Sequence, residues 1–170
     1  VLTYNNMACL DLSWCKIGDG LTHELGQILP KLKKLRKLSI RGNRLNPLGF
    51  EAFSEGLKSN RSIKALDAGF NNCKLDGATA LGNALEENNV IETIELRSCN
   101  IGANGALVLS RKLRRCNNLT TLILADNKVG RKGARDVAKN LKLTSGALIK
   151  CFGWRYDREL DVYDYEDDDL

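Results

Sequence analysis

The chain has 170 residues, 43% of them apolar and 28% charged, and a formal net charge of +5. That length suits one domain, and the apolar share is enough to bury a core, an aliphatic one because only 6% of residues are aromatic. No apolar run approaches the roughly 18–20 residues of a membrane helix, and no charged start leads into an apolar segment, so neither a membrane span nor a signal peptide is predicted.

Taken from its beginning, the chain opens on Val1 rather than Met, which fits an excerpt or a processed product. Residues 1–6 are too few to close the end of a stacked array, so further repeats or another chain are expected over that end. From Met7 a spelling recurs. Met7, Leu10, Leu12, Cys15 and Ile17 form the first copy. Leu35, Leu38, Ile40, Asn43 and Leu45 repeat it, then Ile63, Leu66, Ala68, Asn71 and Cys73. Ile91, Ile94, Leu96, Cys99 and Ile101 are the fourth copy, and Leu119, Leu122, Leu124, Asn127 and Val129 the fifth. The copies start at 7, 35, 63, 91 and 119, a step of 28 residues without insertion, and a partial sixth is expected at 147.

Places four to six of each copy alternate apolar, variable, apolar, as a strand with one buried face requires. The Asn or Cys at place nine follows the strand, where a side chain can bond backbone groups left unpaired by the bend. Each copy then reads as a helix, from pairs such as Phe53 and Leu57 or Leu81 and Leu85 on one face. Gly49, Gly77, Gly105 and Gly133 are read as preceding those helices. Small residues at Gly26, Ser54, Gly82, Ser110 and Ala138 are read as letting each helix approach the strand layer. No unit can bury its face alone, and stacking builds a continuous core.

This spelling and period resemble the leucine-rich repeat family, and a helix in every 28-residue unit is similar to its ribonuclease-inhibitor-like members. The resemblance covers about residues 7–146. It implies an α/β solenoid, a horseshoe arc with parallel strands on the concave face and helices on the convex face. Ran GTPase-activating protein, tropomodulin and the sensor domains of NOD-like receptors are similar in this respect.

After Leu148 the pattern weakens, with Ala147, Lys150 and Phe152 at the expected places of a sixth strand. The repeat domain is therefore read as 1–156. Residues 157–170 hold eight acids and one Arg, so an acidic tail with charge −7 follows a body with charge +12. That tail is expected to be mobile and to contact a basic partner or the basic body.

The cysteines form no metal pattern and no Cys-x-x-Cys pair, so no metal or cofactor is expected. Free thiols suit a reducing, cytoplasmic compartment. Asn60-Arg61-Ser62 and Asn118-Leu119-Thr120 are read as chance sequons. His23, the one histidine, has no ligand partner at a useful spacing. No catalytic constellation stands out, so an enzyme is not expected.

The outward strand places name a candidate surface. Place eight reads Trp14, Gly42, Phe70, Ser98 and Asp126, with Trp154 next if a sixth strand keeps register. Trp14, Phe70, Arg41 and Arg97, framed by Asp67 and Glu95, form the candidate recognition patch, since Trp and Arg dominate protein interfaces. The alternative is that Trp14 and Trp154 cover the two open ends of the core. Basic clusters on the helices, such as Arg111, Lys112, Arg114 and Arg115, lack a nucleic-acid module and read mainly as solvated faces. The function expected is a non-enzymatic module or scaffold that grips a protein partner on the concave face. Alternatives are a structural subunit of a large assembly, a fragment of a NOD-like sensor, and a GTPase activator or actin-capping protein of the kinds named above. The activator reading would use Lys16, Arg44, Lys74 and Lys128.

Overall fold

The computed structural model of the chain describes residues 6–141 and the strand at 148–150. Six three-residue strands form one parallel sheet in sequence order: β1 (Cys9–Asp11), β2 (Lys37–Ser39), β3 (Ala65–Asp67), β4 (Thr93–Glu95), β5 (Thr121–Ile123) and β6 (Leu148–Lys150). Between them run α1 (Gly18–Ile28), α2 (Pro47–Ser59), α3 (Lys74–Glu87), α4 (Gly102–Leu113) and α5 (Gly130–Leu141), and a short 3-10 turn, Leu29–Lys31, follows α1. Strand–turn–helix units thus stack side by side into a solenoid.

The alternating places explain the sheet. Leu38, Leu66, Ile94 and Leu122 are paired in register and buried, while their flanks are half-buried or exposed on the other face. One continuous core runs from Leu25 to Leu141 between sheet and helices. The first unit is less closed. Leu10 and Leu12 are half-buried and Met7 is exposed, whereas Leu35, Leu38 and Ile40 at the same places are at most 2% exposed.

Strand β6 corrects the expected sixth start. Continuing the 28-residue step would pair Leu122 with Lys150, but Leu122 pairs with Ile149. The last step is one residue shorter. A one-residue slip exchanges the two faces of a strand, and this register puts Ile149 rather than Lys150 in the column of Leu38, Leu66 and Ile94. The condition set for Trp154, an unbroken 28-residue step into the sixth strand, is not met at β6. Like the tail at 157–170, Trp154 lies outside the described residues.

The turn after each strand is closed by the expected ladder. The Asn71 amide donates to the Ile40 carbonyl at 3.0 Å, and its oxygen accepts from the N–H groups of Asn43 (2.9 Å) and Leu45 (3.1 Å). Asn127 does the same between Leu96 and the Cys99 and Ile101 amides. The Cys99 thiol donates to Ala68 O at 3.3 Å. Cys15, in the end unit, is exposed and turns back on the nearby Ser13 carbonyl at 3.5 Å.

A second buried ladder closes the helix-to-strand end. Asn60 donates to Leu29 O (2.7 Å), Asn88 to Leu57 O (2.8 Å), and the Cys116 thiol to Leu85 O (2.9 Å). Asn60 is 1% exposed, so its sequon is a structural position that no glycan can reach in the folded chain.

The glycines need two corrections. Gly49, Gly77, Gly105 and Gly133 lie inside the first helical turn, not before it. The small column faces the neighbouring helix rather than the strands. A Cβ on Gly26 would strike the Ala52 carbonyl of α2, and one on Gly82 would meet Lys112 of α4 at 3.2 Å. Adjacent helices, not helix and sheet, set the size limit there.

Candidate protein-interaction site

The outward face of the sheet is lined by Asp11, Ser39, Asp67, Glu95 and Ile123, which are neighbours in register. Their acids also have a local task that the repeat pattern alone did not reveal. Each accepts the backbone N–H two residues on: Asp11 from Ser13 (2.8 Å), Asp67 from Gly69 (3.0 Å), Glu95 from Arg97 (2.8 Å). A short polar side chain at strand end bonding the i+2 amide is a turn device. Spacing held a signal for it, since an acid stands two places before three of these turns. The Ser13 hydroxyl, then its N–H, holds the Asp11 carboxyl below the usual range. Glu95 moves the other way: burial raises it, and the nearby Asp67 charge adds to the rise against the Arg97 N–H.

Past the strand, place eight is left-handed in every described unit, with φ of 61° at Trp14, 65° at Gly42, 56° at Phe70, 53° at Ser98 and 60° at Asp126. The reason is backbone pairing. Trp14 N donates to Arg41 O (2.8 Å), Gly42 N to Gly69 O (2.9 Å) and Phe70 N to Arg97 O (2.7 Å), so the ladder carries on through the bend. Glycine suits that conformation. A side-chain residue there costs about 1–2 kcal/mol, and two of the five places hold large aromatics.

Those aromatics meet. Trp14 lies over Gly42, whose absent Cβ leaves the room, and its ring stands 5.6 Å from Phe70 with planes at 54°. The Arg41 guanidinium sits 4.3 Å above the Phe70 ring and reaches Asp67 at 3.3 Å. That is a cation–π contact steadied by an ion pair. Trp14 remains 60% exposed and Phe70 38%. So Trp14 leans along the array, across two units, rather than over the open end of the first. Of the six candidate residues, Trp14, Arg41, Asp67 and Phe70 form one contiguous group. Arg97 is drawn away to Asp126 at 3.3 Å, and Glu95 sits on the floor beside Asp67.

The chain matches the family model described as Leucine Rich repeat over residues 3–20, 87–110 and 115–138. Those segments are leucine-rich repeats, and the fold is a leucine-rich repeat solenoid. A 55-residue stretch of this repeat protein, 32% of its length, is 35% identical to human protein NLRC5, and the match spans 3% of that protein. Its fold is similar to the solved structure of Leiomodin-1 Actin-Binding Site 2, with a TM-score of 0.64, 21% identity, and coverage of 79% of this chain and 78% of that one. Leucine-rich repeat solenoids are protein-interaction modules whose curved faces present side chains to partners.

Elsewhere on the repeat array the chemistry is quiet. Among the described residues no group of three His, Cys, Asp or Glu is placed to hold a metal, and no helix is long and apolar enough to cross a membrane. His23 shares a 2.9 Å contact with Gln27 on exposed helix α1. The basic cluster at the end of α4 and just past it is part-neutralised, since Lys112 and Arg115 both reach Glu86 of α3, at 2.8 and 2.9 Å.

Proposed function

We propose that this chain is a non-enzymatic scaffold that grips a protein partner on its concave strand face, with Trp14, Arg41 and Phe70 at the centre and Asp67, Glu95 and Arg97 around them. One observation carries the reading. Trp14 and Phe70 are exposed yet held in order, on left-handed turns that a glycine would occupy at lower cost, with the half-buried Arg41 over the Phe70 ring. Rigid, preplaced aromatic and Arg side chains lose little freedom on docking, which is how such anchors convert contact into affinity. Free thiols suit work in a reducing compartment, and the acidic segment 157–170 serves as a tether beyond the repeat domain.

The test is paired substitution. Trp14→Ala with Phe70→Ala is expected to abolish capture of the partner from the source cell while circular dichroism stays unchanged. Capture that survives in the double variant sinks the reading. The NLRC5 match supports a second reading, in which the chain is a repeat segment of a larger protein of that kind. Because the similar Leiomodin-1 segment is an actin-binding site, actin is the first partner to try, by co-sedimentation.

A further inference from the structure

Seven large apolar side chains are exposed among the described residues, and five of them share one edge of the solenoid. Trp14 and Phe70 stand in the turns three residues past β1 and β3. Leu21, Leu48 and Leu75 lie in the first turns of α1, α2 and α3. Leu48 is 68% exposed. The fold does not ask for them. Units four and five put Ser98 and Asp126 at the aromatic places, with the same left-handed φ, and Ala103, Asn104, Arg131 and Lys132 on the matching helical turns. The apolar rim is thus confined to the first three units.

Bases accompany it. Lys16 and Arg44 stand at one place on the loops of the first two units, and Lys74, two places further on, is the first residue of α3; each is left-handed (φ 57°, 61° and 55°), which fixes where the side chain leaves the backbone. A cleft of about 640 Å3 is lined by Trp14, Lys16, Gly42, Arg44 and Phe70, and it shares Asn72 with a second cleft lined by Lys74 and Leu75. Of the acids on this stretch, Asp19 has an oxygen on the Asn46 N–H at 2.9 Å, and Asp76 is exposed on the helix side of Leu75. Each of the three units thus contributes one cation to this edge, Lys74 two places off the register of Lys16 and Arg44, with neighbouring units about 5–10 Å apart, between strand and helix spacings. An acidic side chain on every turn or two of a helix, with its pitch of about 5.4 Å, matches that interval.

We propose that the strand-to-helix rim of the first three units docks an acidic amphipathic helix. Its apolar side chains enter the Trp14–Phe70 cleft, and its carboxylates meet Lys16, Arg44 and Lys74. The proposal rests on the protein-binding reading above and moves its contact from the floor of the groove to the edge.

The experiment uses the full chain and three synthetic helical peptides. One has a Leu/Phe face and a Glu face, one replaces Glu by Lys, and one replaces Leu/Phe by Ala. The Glu peptide is expected to bind at least tenfold tighter than either other peptide. In Lys16→Glu, Arg44→Glu, Lys74→Glu, checked for an unchanged melting curve, the order of the Glu and Lys peptides reverses. Equal affinity, a preference for the Lys peptide, or no saturable binding overturns the proposal. So does tighter binding to anionic phospholipid vesicles than to the Glu peptide. Glu95→Gln with Arg97→Ala changes only the floor and separates the two readings. Peptide binding lost there, and kept in the charge-reversed rim, removes the rim and leaves the concave face. Peptide binding and partner capture that are both lost in the charge-reversed rim, and both kept in Glu95→Gln with Arg97→Ala, do the opposite.

Discussion

Trp14 and Phe70 are 56 residues apart in sequence and 5.6 Å apart between ring centroids, brought together because the unit between them has Gly42 at the matching place. Side chains two units apart on a solenoid touch only when the middle one is missing. The glycine is therefore part of the site.

Gly42→Ala should disturb both the turn and the patch. The new Cβ meets the indole of Trp14, and φ of 65° disfavours any L side chain. We expect a loss of about 1–2 kcal/mol in denaturant unfolding, together with a change in tryptophan emission as Trp14 leaves Phe70. Unchanged emission would show that the indole is not seated on Gly42.

Asn71 holds two units at once. Asn71→Ala leaves the buried N–H groups of Asn43 and Leu45 and the Ile40 carbonyl without its amide. Each orphaned group costs about 1–3 kcal/mol, so unfolding stability should fall by about 3 kcal/mol or more. Asn71→Cys, which copies Cys99, should recover part of that loss, as measured in the same urea titration.

The thiols of the described residues should fall into two classes. Cys9 and Cys15 are exposed and should react with a maleimide in the native protein. Cys73, Cys99 and Cys116 should react only as the chain unfolds, because burial pushes the Cys99 thiol up to about 12 and the Cys116 thiol up to about 11, and raises Cys73 as well. An unfolded thiol ionises near its ordinary 9.0 while the folded one stays protonated. The stability linked to these groups is thus full below pH 9 and lost as pH rises towards 11–12. Labelling against pH, with and without urea, reads both effects.

Ser54 is the opposite case. Its hydroxyl is buried among the described residues with no hydrogen-bond partner. Ser54→Ala removes the cost of that desolvated group without adding volume, so stability should hold or rise by about 1 kcal/mol. A clear loss in the urea midpoint would mean that the hydroxyl is satisfied in solution.

Much of this was legible in the sequence because a 28-residue period repeats each structural demand five times. Leu38, Leu66, Ile94 and Leu122 declare the sheet's buried column, and Asn43, Asn71 and Asn127 its ladder. The second ladder was just as visible at Asn60, Asn88 and Cys116, but amide and thiol do not look alike until their shared carbonyl acceptors are seen. The β6 register was hidden because a one-residue deletion leaves too few residues to establish a new phase, and the choice between Ile149 and Lys150 is made by the pleat. The outward face of Trp14, Arg41 and Phe70 followed from period two alone. Their mutual contact did not, since it depends on the left-handed turn and on the gap over Gly42. Nor did the diversion of Arg97 to Asp126, because a long side chain chooses among partners that spacing treats as equal.

The most direct test of the central claim is cross-linking mass spectrometry on the natively purified chain. Lys37 and Lys64 are exposed beside the strands, and Lys112, Lys132 and Lys139 lie on the helices. The account predicts links from Lys37 and Lys64 to one defined protein, lost in the Trp14→Ala, Phe70→Ala variant. Links mainly through the helix lysines, to many neighbours and indifferent to that variant, would contradict it and make the chain a structural subunit with no recognition face on its strands.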